Sequence, residues 1–142
     1  MRVKSLIESH VTYTIPFYDL DPLCIVWHGN YLKYFEKARE ELLMQVGYSY
    51  ADMSETDYIF PIVESHVKYI SPLVHAQDIT ITAMLMEYEN RIKIAYKITD
   101  NKTGKKCTEG YTTQFTVSKT TKLLEFQSPV HFIEKVQLCL KK

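Results

Sequence analysis

One stretch of helical periodicity, followed by run after run of two-residue alternation, limits the folds open to this chain more than any other feature. Tyr31, Tyr34, Phe35, Ala38, Leu42 and Val46 form a single apolar stripe over about four turns, while Lys33, Lys37, Arg39, Glu40 and Glu41 fall largely elsewhere. Asn30 is placed to cap the start of this helix, and Gly47 to end it. Before it, Val11, Tyr13, Ile15 and Phe17 alternate with Thr12, Thr14 and Pro16, the signature of a strand with one buried face, and Pro16 marks an edge or a strand end. After it come four more strand-like runs. Tyr58 to Ile70 puts Val63, Ser65, Val67 and Tyr69 on one side and Glu64, His66 and Lys68 on the other. Ile79, Ile81, Ala83 and Leu85 share a face within Asp78 to Glu87, as do Ile92, Ile94, Tyr96 and Ile98 within Arg91 to Thr99. Cys107 to Val117 alternates through Tyr111, Phe115 and Val117; turns at Glu89-Asn90 and Asn101 to Gly104 join the strands. Leu123 to Phe126 reads as a short last strand and Pro129 to Lys142 as a terminal helix. A lone amphipathic helix among consecutive antiparallel strands has one way to bury its stripe, which is to lie on a curved sheet; the expected class is α+β.

The 142 residues match one domain, 1–142, with no internal repeat or linker. Lys plus Arg and Asp plus Glu both total 17, so no excess charge favours nucleic acid or an anionic membrane. The N-terminal run, Met1 to Glu8, is interrupted by charge before a signal-peptide core can form, and no later stretch reaches spanning length, so neither export nor membrane insertion is expected. Cys24, Cys107 and Cys139 are odd in number and far apart, which argues against a disulfide framework or a zinc site and fits a cytoplasmic protein. A sheet covered on one face by one helix leaves an edge or face to protect, so a homo-oligomer is expected.

The chemistry concentrates between Phe17 and Tyr31, where a strand leads into a helix start. Unpaired N–H groups and the helix dipole favour developing negative charge at such a place. A carboxylate beside it would supply what thioester hydrolysis needs, namely a base or nucleophile near the carbonyl carbon and N–H donors for the oxyanion. The segment Asp21, Ile25-Val26-Trp27-His28, Asn30-Tyr31, Tyr34-Phe35-Glu36-Lys37-Ala38-Arg39 resembles the 4-hydroxybenzoyl-CoA thioesterase family of hotdog-fold proteins, including its Tol-Pal-cluster acyl-CoA thioesterase branch. Tyr69-Ile70-Ser71-Pro72-Leu73 is similar to that family's Tyr-x-x-Pro stretch.

The resemblance implies a hotdog fold, a curved antiparallel sheet wrapped around one long central helix, and hydrolysis of acyl-CoA by a homodimer or a homotetramer of paired dimers with sites between subunits. It makes Asp21 the catalytic carboxylate, as nucleophile or as general base on water. It assigns the backbone N–H of His28 to polarising the carbonyl, with the ring of His28 near the site, and places Trp27, Asn30 and Tyr31 against the substrate. The family has Gly three residues after the Asp; here Cys24 stands there, and if that position needs a positive φ the loop is strained or takes another path.

Other readings compete residue by residue. Asp21 precedes Pro22, and a turn residue bonding its own backbone is the ordinary role there. Asp19 is a structural acceptor, or the acid if the register shifts. Cys24 and His28 form a nucleophile pair only if a loop happens to face them together. Glu64 is a second catalytic candidate, its alternative being part of a polar face that meets water or a partner. Lys68, Arg91 or Lys93 would have to hold the CoA phosphates, since no P-loop or glycine-rich fingerprint is present. His10, His75 and His131 are isolated and no metal-ligand spacing occurs, so neither metal nor cofactor is expected. Two rival functions remain: an enzyme acting on acyl carrier protein, which needs a basic docking surface, and a non-catalytic acyl-CoA-binding module.

Overall fold

A computed structural model describes residues 6–142. The N-terminal reading against a signal peptide falls, for 1–5, outside the described residues. The strands are β1 (Ile7–Thr14), β2 (Tyr58–Ile59), β3 (Ile62–Tyr69), β4 (Asp78–Glu87), β5 (Ile92–Asp100), β6 (Lys106–Gln114), β7 (Thr116–Ser118) and β8 (Leu124–Glu125). The helices are α1 (Tyr31–Val46), α2 (Tyr50–Ser54) and α3 (Val130–Leu140).

Five strands form an antiparallel sheet in the order β1-β4-β5-β6-β3, and β2, β7 and β8 form a small second sheet. Helix α1 lies on the large sheet chiefly over β1 and β4. Its buried residues include Tyr31, Tyr34, Phe35, Ala38, Leu42 and Val46, the stripe expected from spacing. Opposite them lie Ile79, Ile81, Ala83 and Leu85 of β4 and Ile92, Ile94, Tyr96 and Ile98 of β5, all nearly sealed from solvent. Phe35 stacks on Tyr96 at 4.4 Å, and Ser9 donates to the Ala38 carbonyl at 2.7 Å, locking helix to sheet. Gly47 ends α1 in the left-handed region at φ 85°, where its N–H reaches the Leu43 and Met44 carbonyls.

Several expectations need correction. Asn30 does not cap α1: its side chain makes no cap bond, because a 3-10 turn at His28–Asn30 already carries the helix one turn earlier. The run from Tyr58 to Ile70 is two strands, since Tyr58–Ile59 pairs with β7 and only Ile62–Tyr69 joins the large sheet, at its edge. In β6 the inward face is the polar one. Thr108, Thr112 and Gln114 are buried and Tyr111 is only partly so. The reason is local: Gly110 makes room for the Phe35 ring, which a Cβ there would meet at 2.8 Å, and Thr112 pairs with the Tyr96 hydroxyl at 2.8 Å. Helix α2 was hidden in a polar stretch, although Ser49 and Asp52 form a reciprocal capping box. No helix among the described residues is long and apolar enough to cross a membrane.

Candidate active site

The loop from Pro16 to Asn30 folds as a small hairpin. Leu20 and Val26 bridge, the Asp21 N–H donates to the Ile25 carbonyl at 2.8 Å, and the Cys24 N–H returns to the Asp21 carbonyl at 2.9 Å. To close so tightly, Cys24 takes φ 63°, a left-handed conformation usually left to glycine. The backbone therefore keeps the path a glycine would allow, at the strain a β-carbon adds. The Val26 N–H donates to the Leu73 carbonyl at 2.9 Å, so the stretch containing Tyr69 to Leu73 is the platform on which the loop rests.

Two carboxylates project from this hairpin with opposite environments. Asp19 accepts from the Tyr34 hydroxyl at 2.6 Å and the Tyr13 hydroxyl at 3.0 Å, both on Oδ2, while its carbonyl accepts from the Trp27 N–H and from Asn30 Nδ2. It is the structural acceptor, tying β1, the loop and α1 together. Burial, then the bond to Asp19, pushes the Tyr13 phenol up to about 12, and the same causes push Tyr34 higher still. Asp21 is half-buried; Oδ1 accepts the Leu23 N–H at 2.8 Å, the local turn bond that the simpler reading expected. The other oxygen accepts no bond among the described residues. Its charge reaches the Tyr31 phenol, which burial pushes up first and which Tyr69, Cys107 and Asp21 push further.

The helical segment opens beside it. Asn30 donates its N–H to the Trp27 carbonyl and Tyr31 donates to that of His28, so the N–H groups of His28 and Gly29 precede the first helical bonds and meet no acceptor among the described residues. Gly29 is required here because a β-carbon would lie 2.4 Å from the Trp27 ring, which folds back over it. The rings of Trp27 and His28 sit 5.4 Å apart, both exposed. Tyr69 closes the far side: its ring packs edge-on to Tyr31 at 4.8 Å, and its hydroxyl donates to the His28 carbonyl at 3.5 Å.

Asp21, Trp27, His28, Asn30 and Tyr31 are thus brought together, with Asn30 acting on Asp19 rather than outward. Glu64, Lys68 and Arg91 do not join them within the chain. Glu64 lies five residues up β3 from Tyr69, about 17 Å away at strand spacing. Lys68 pairs with Glu109 at 3.8 Å; Arg91 grips Glu87 through two bonds of 2.6 and 3.2 Å, and that carboxylate, more than Glu64 nearby, raises its pKa. The Cys24 thiol is exposed and makes no hydrogen bond with His28 among the described residues. No group of three His, Cys, Asp or Glu that could hold a metal ion occurs among those residues. Periodicity gave no sign of the Tyr13–Asp19–Tyr34 hub; two tyrosines on the inward faces of a strand and a helix, flanking a buried-turn aspartate, were the available clue.

A long helix lying across a curved antiparallel sheet, with a carboxylate loop at the helix start, is the architecture of the hotdog proteins. Residues 15–137 match the Thioesterase-like superfamily, and the chain belongs to it. It is 28% identical over 82 residues to YneP of Bacillus subtilis (strain 168), which carries the provisional name acyl-CoA thioesterase; the match covers 58% of this chain and 59% of that protein. The chain thus spans roughly half to three-fifths of the curated relatives it matches. Its fold superposes on a DHNA-CoA thioesterase from Staphylococcus aureus with a TM-score of 0.76 at 25% identity, covering 84% of this chain and 80% of that one. A second Staphylococcus aureus protein, a hypothetical protein solved in complex with CoA, gives 0.83 at 17% identity over 99% of this chain and 89% of that one.

Proposed function

We propose that this chain hydrolyses acyl-CoA thioesters at the Asp21 loop. The observation that carries the reading is the division of labour between two neighbouring carboxylates: Asp19 is tied by two phenols to β1 and α1, while Asp21 is restrained among the described residues only by its own turn, beside N–H groups that open a helical segment. Family membership and the thioesterases among similar proteins agree with it. In this reading Asp21 attacks the carbonyl carbon or takes a proton from the water that does. The N–H of His28, with that of Gly29 next to it, receives the oxyanion; the C–S bond then breaks and CoA leaves as the thiol with a proton that originates in water, and where Asp21 itself attacked, water then hydrolyses the acyl–Asp21 anhydride to the free acid.

The site is completed by a second copy. Strand β3 is exposed along nearly its whole length and its outer edge has no neighbouring strand among the described residues, an invitation to pairing. Two β3 strands meeting antiparallel about a two-fold at Ser65 set that residue opposite Ser65 of the partner subunit. Glu64 of the partner subunit then stands opposite His66, three residues or ~10 Å along the strand from Tyr69, rather than the ~17 Å found within one chain. Glu64 thereby comes nearer the site across the interface. Three unpaired cysteines agree with residence in the reducing cytoplasm.

Thiol release from short, long and aromatic acyl-CoAs, and from the same acyl groups on carrier protein, tests the activity and ranks the carriers. Ser65→Glu puts like charges across the two-fold; light scattering then reports a shift toward monomer and thiol release falls with it. An unchanged dimer with unchanged turnover rules out pairing through β3.

A further inference from the structure

Along α1, Tyr31, Phe35 and Arg39 are spaced by four and form one row on the helix surface. The first member packs against the candidate site, and the last lies about 12 Å further along the axis. There an open cleft of about 380 Å³ is walled by Met53, Tyr58, Ile59 and Phe60 and carries two buried polar side chains, Arg39 and Gln114.

Both are more than nine-tenths buried, Arg39 being 6% exposed and Gln114 4%. Arg39 uses Nε on the Tyr50 hydroxyl at 3.0 Å and Nη2 on Glu36, while Tyr50 donates to the other Glu36 oxygen at 2.9 Å. Its Nη1 has no partner among the described residues. Gln114 donates Nε2 to the Phe60 carbonyl at 2.9 Å; since a carbonyl only accepts, the amide orientation is fixed and Oε1 is the atom left over, also without a partner. One unmet donor and one unmet acceptor, both buried, thus belong to residues lining the same apolar cleft. Buried polar groups are rarely left so, and a ligand atom that accepts one bond and gives another answers both.

The charge of that group follows from the same neighbours. Glu36 already balances Arg39, Gln114 Oε1 offers only lone pairs, and Lys119, the other cation lining the cleft, is turned to the Ser54 and Thr56 carbonyls, so a carboxylate at the Arg39–Gln114 pair would meet negative density on two sides. A neutral hydroxyl suits the pair. We infer that this cleft receives the far end of the acyl group and selects one that ends in a hydroxyl, which accepts from Arg39 Nη1 and donates to Gln114 Oε1. The inference rests on the thioesterase reading of the Asp21 loop and adds a substrate class to it. The apolar walls hold the methylene chain; the polar pair reads its terminus.

Three eight-carbon esters test it on the unmodified protein: octanoyl-CoA, ω-hydroxyoctanoyl-CoA and the ω-carboxyl analogue. The expected order of kcat/KM puts the hydroxyl ester about tenfold or more above octanoyl-CoA, the discrimination a hydrogen bond to a charged donor supplies, with the carboxyl ester last. In Gln114→Met, which keeps the side-chain length and loses the acceptor, the hydroxyl-to-methyl ratio collapses to near parity. Equal rates for the two esters, or a preference for the carboxyl end, overturn the inference and leave the thioesterase reading standing. Absence of thiol release from every ester sinks that reading instead. The cleft is then judged by calorimetry with the two free acids: tighter binding of ω-hydroxyoctanoic acid, lost in Gln114→Met, supports the terminal selection, and equal binding overturns it.

Discussion

The inner and outer halves of the Pro16–Asn30 loop use the same side chain for opposite ends. On the inner half, the Asp19 carboxylate accepts from two phenols, one on β1 and one on α1, while its main-chain carbonyl takes a backbone N–H and an asparagine amide from the end of the same loop. On the outer half, Asp21 keeps one short-range turn bond and partial exposure. The lesson is that the number of protein donors around a carboxylate separates architecture from chemistry better than its place in a motif. A carboxylate that ties two other elements together is held away from a substrate, and one that only its own turn restrains is free to meet it.

Substitution at each carboxylate tests that contrast most directly. Asp21→Asn keeps an acceptor for the Leu23 N–H, so thermal unfolding stays where it is, while kcat drops about 10²- to 10⁴-fold, the range a positioned base contributes; undiminished turnover would remove Asp21 from the mechanism. Asp19→Ala does the reverse, leaving one buried and one half-buried phenol without that acceptor and lowering stability by about 2 kcal/mol in a denaturant titration. A loss of only a few tenths would show that the hub is ornamental. Cys24 sits between the halves in a conformation that costs a β-carbon about 1–2 kcal/mol, partly offset by glycine's greater freedom when unfolded. Cys24→Gly should therefore raise stability by about 0.5–1 kcal/mol in the same titration, and a destabilised variant would mean that its side chain holds the turn.

The smallest effect is on pH. Tyr13 in the folded protein has its pKa raised to about 12 from 10.0, because burial and the bond to Asp19 favour the protonated phenol. A raised pKa contributes stability that is whole below pH 10 and fades as the pH climbs through 12. Melting temperatures at pH 9 and pH 11 should fall further apart in the wild type than in Tyr13→Phe. Equal separations would mean that the hub's phenols do not resist ionisation together.

Much of this was legible from residue order. The stripe on α1, the inward faces of β4 and β5, and the terminator at Gly47 were visible because each follows a period set by backbone geometry. Where sequence failed, side-chain bonding had overridden polarity. The threonines and glutamine of β6 turn inward because Tyr96 and the Phe60 carbonyl satisfy two of them, a pairing between strands that no period records. Asn30 looked like a cap and instead reaches back eleven residues to Asp19. At the site, a motif named Asp21 and His28, which share one loop, but residue order held no measure of how far along β3 Glu64 stands from them.

The indole folded over Gly29 has a practical consequence. The chain has a single tryptophan, and it stands half-exposed at the opening of the helical segment. Long-wavelength excitation selects it from the eleven tyrosines, so its emission reports solvent access at that one spot. The molecule carries a built-in optical gauge: a titrant that settles there shifts the colour of the light, and one that settles at the far end of the helix leaves it alone.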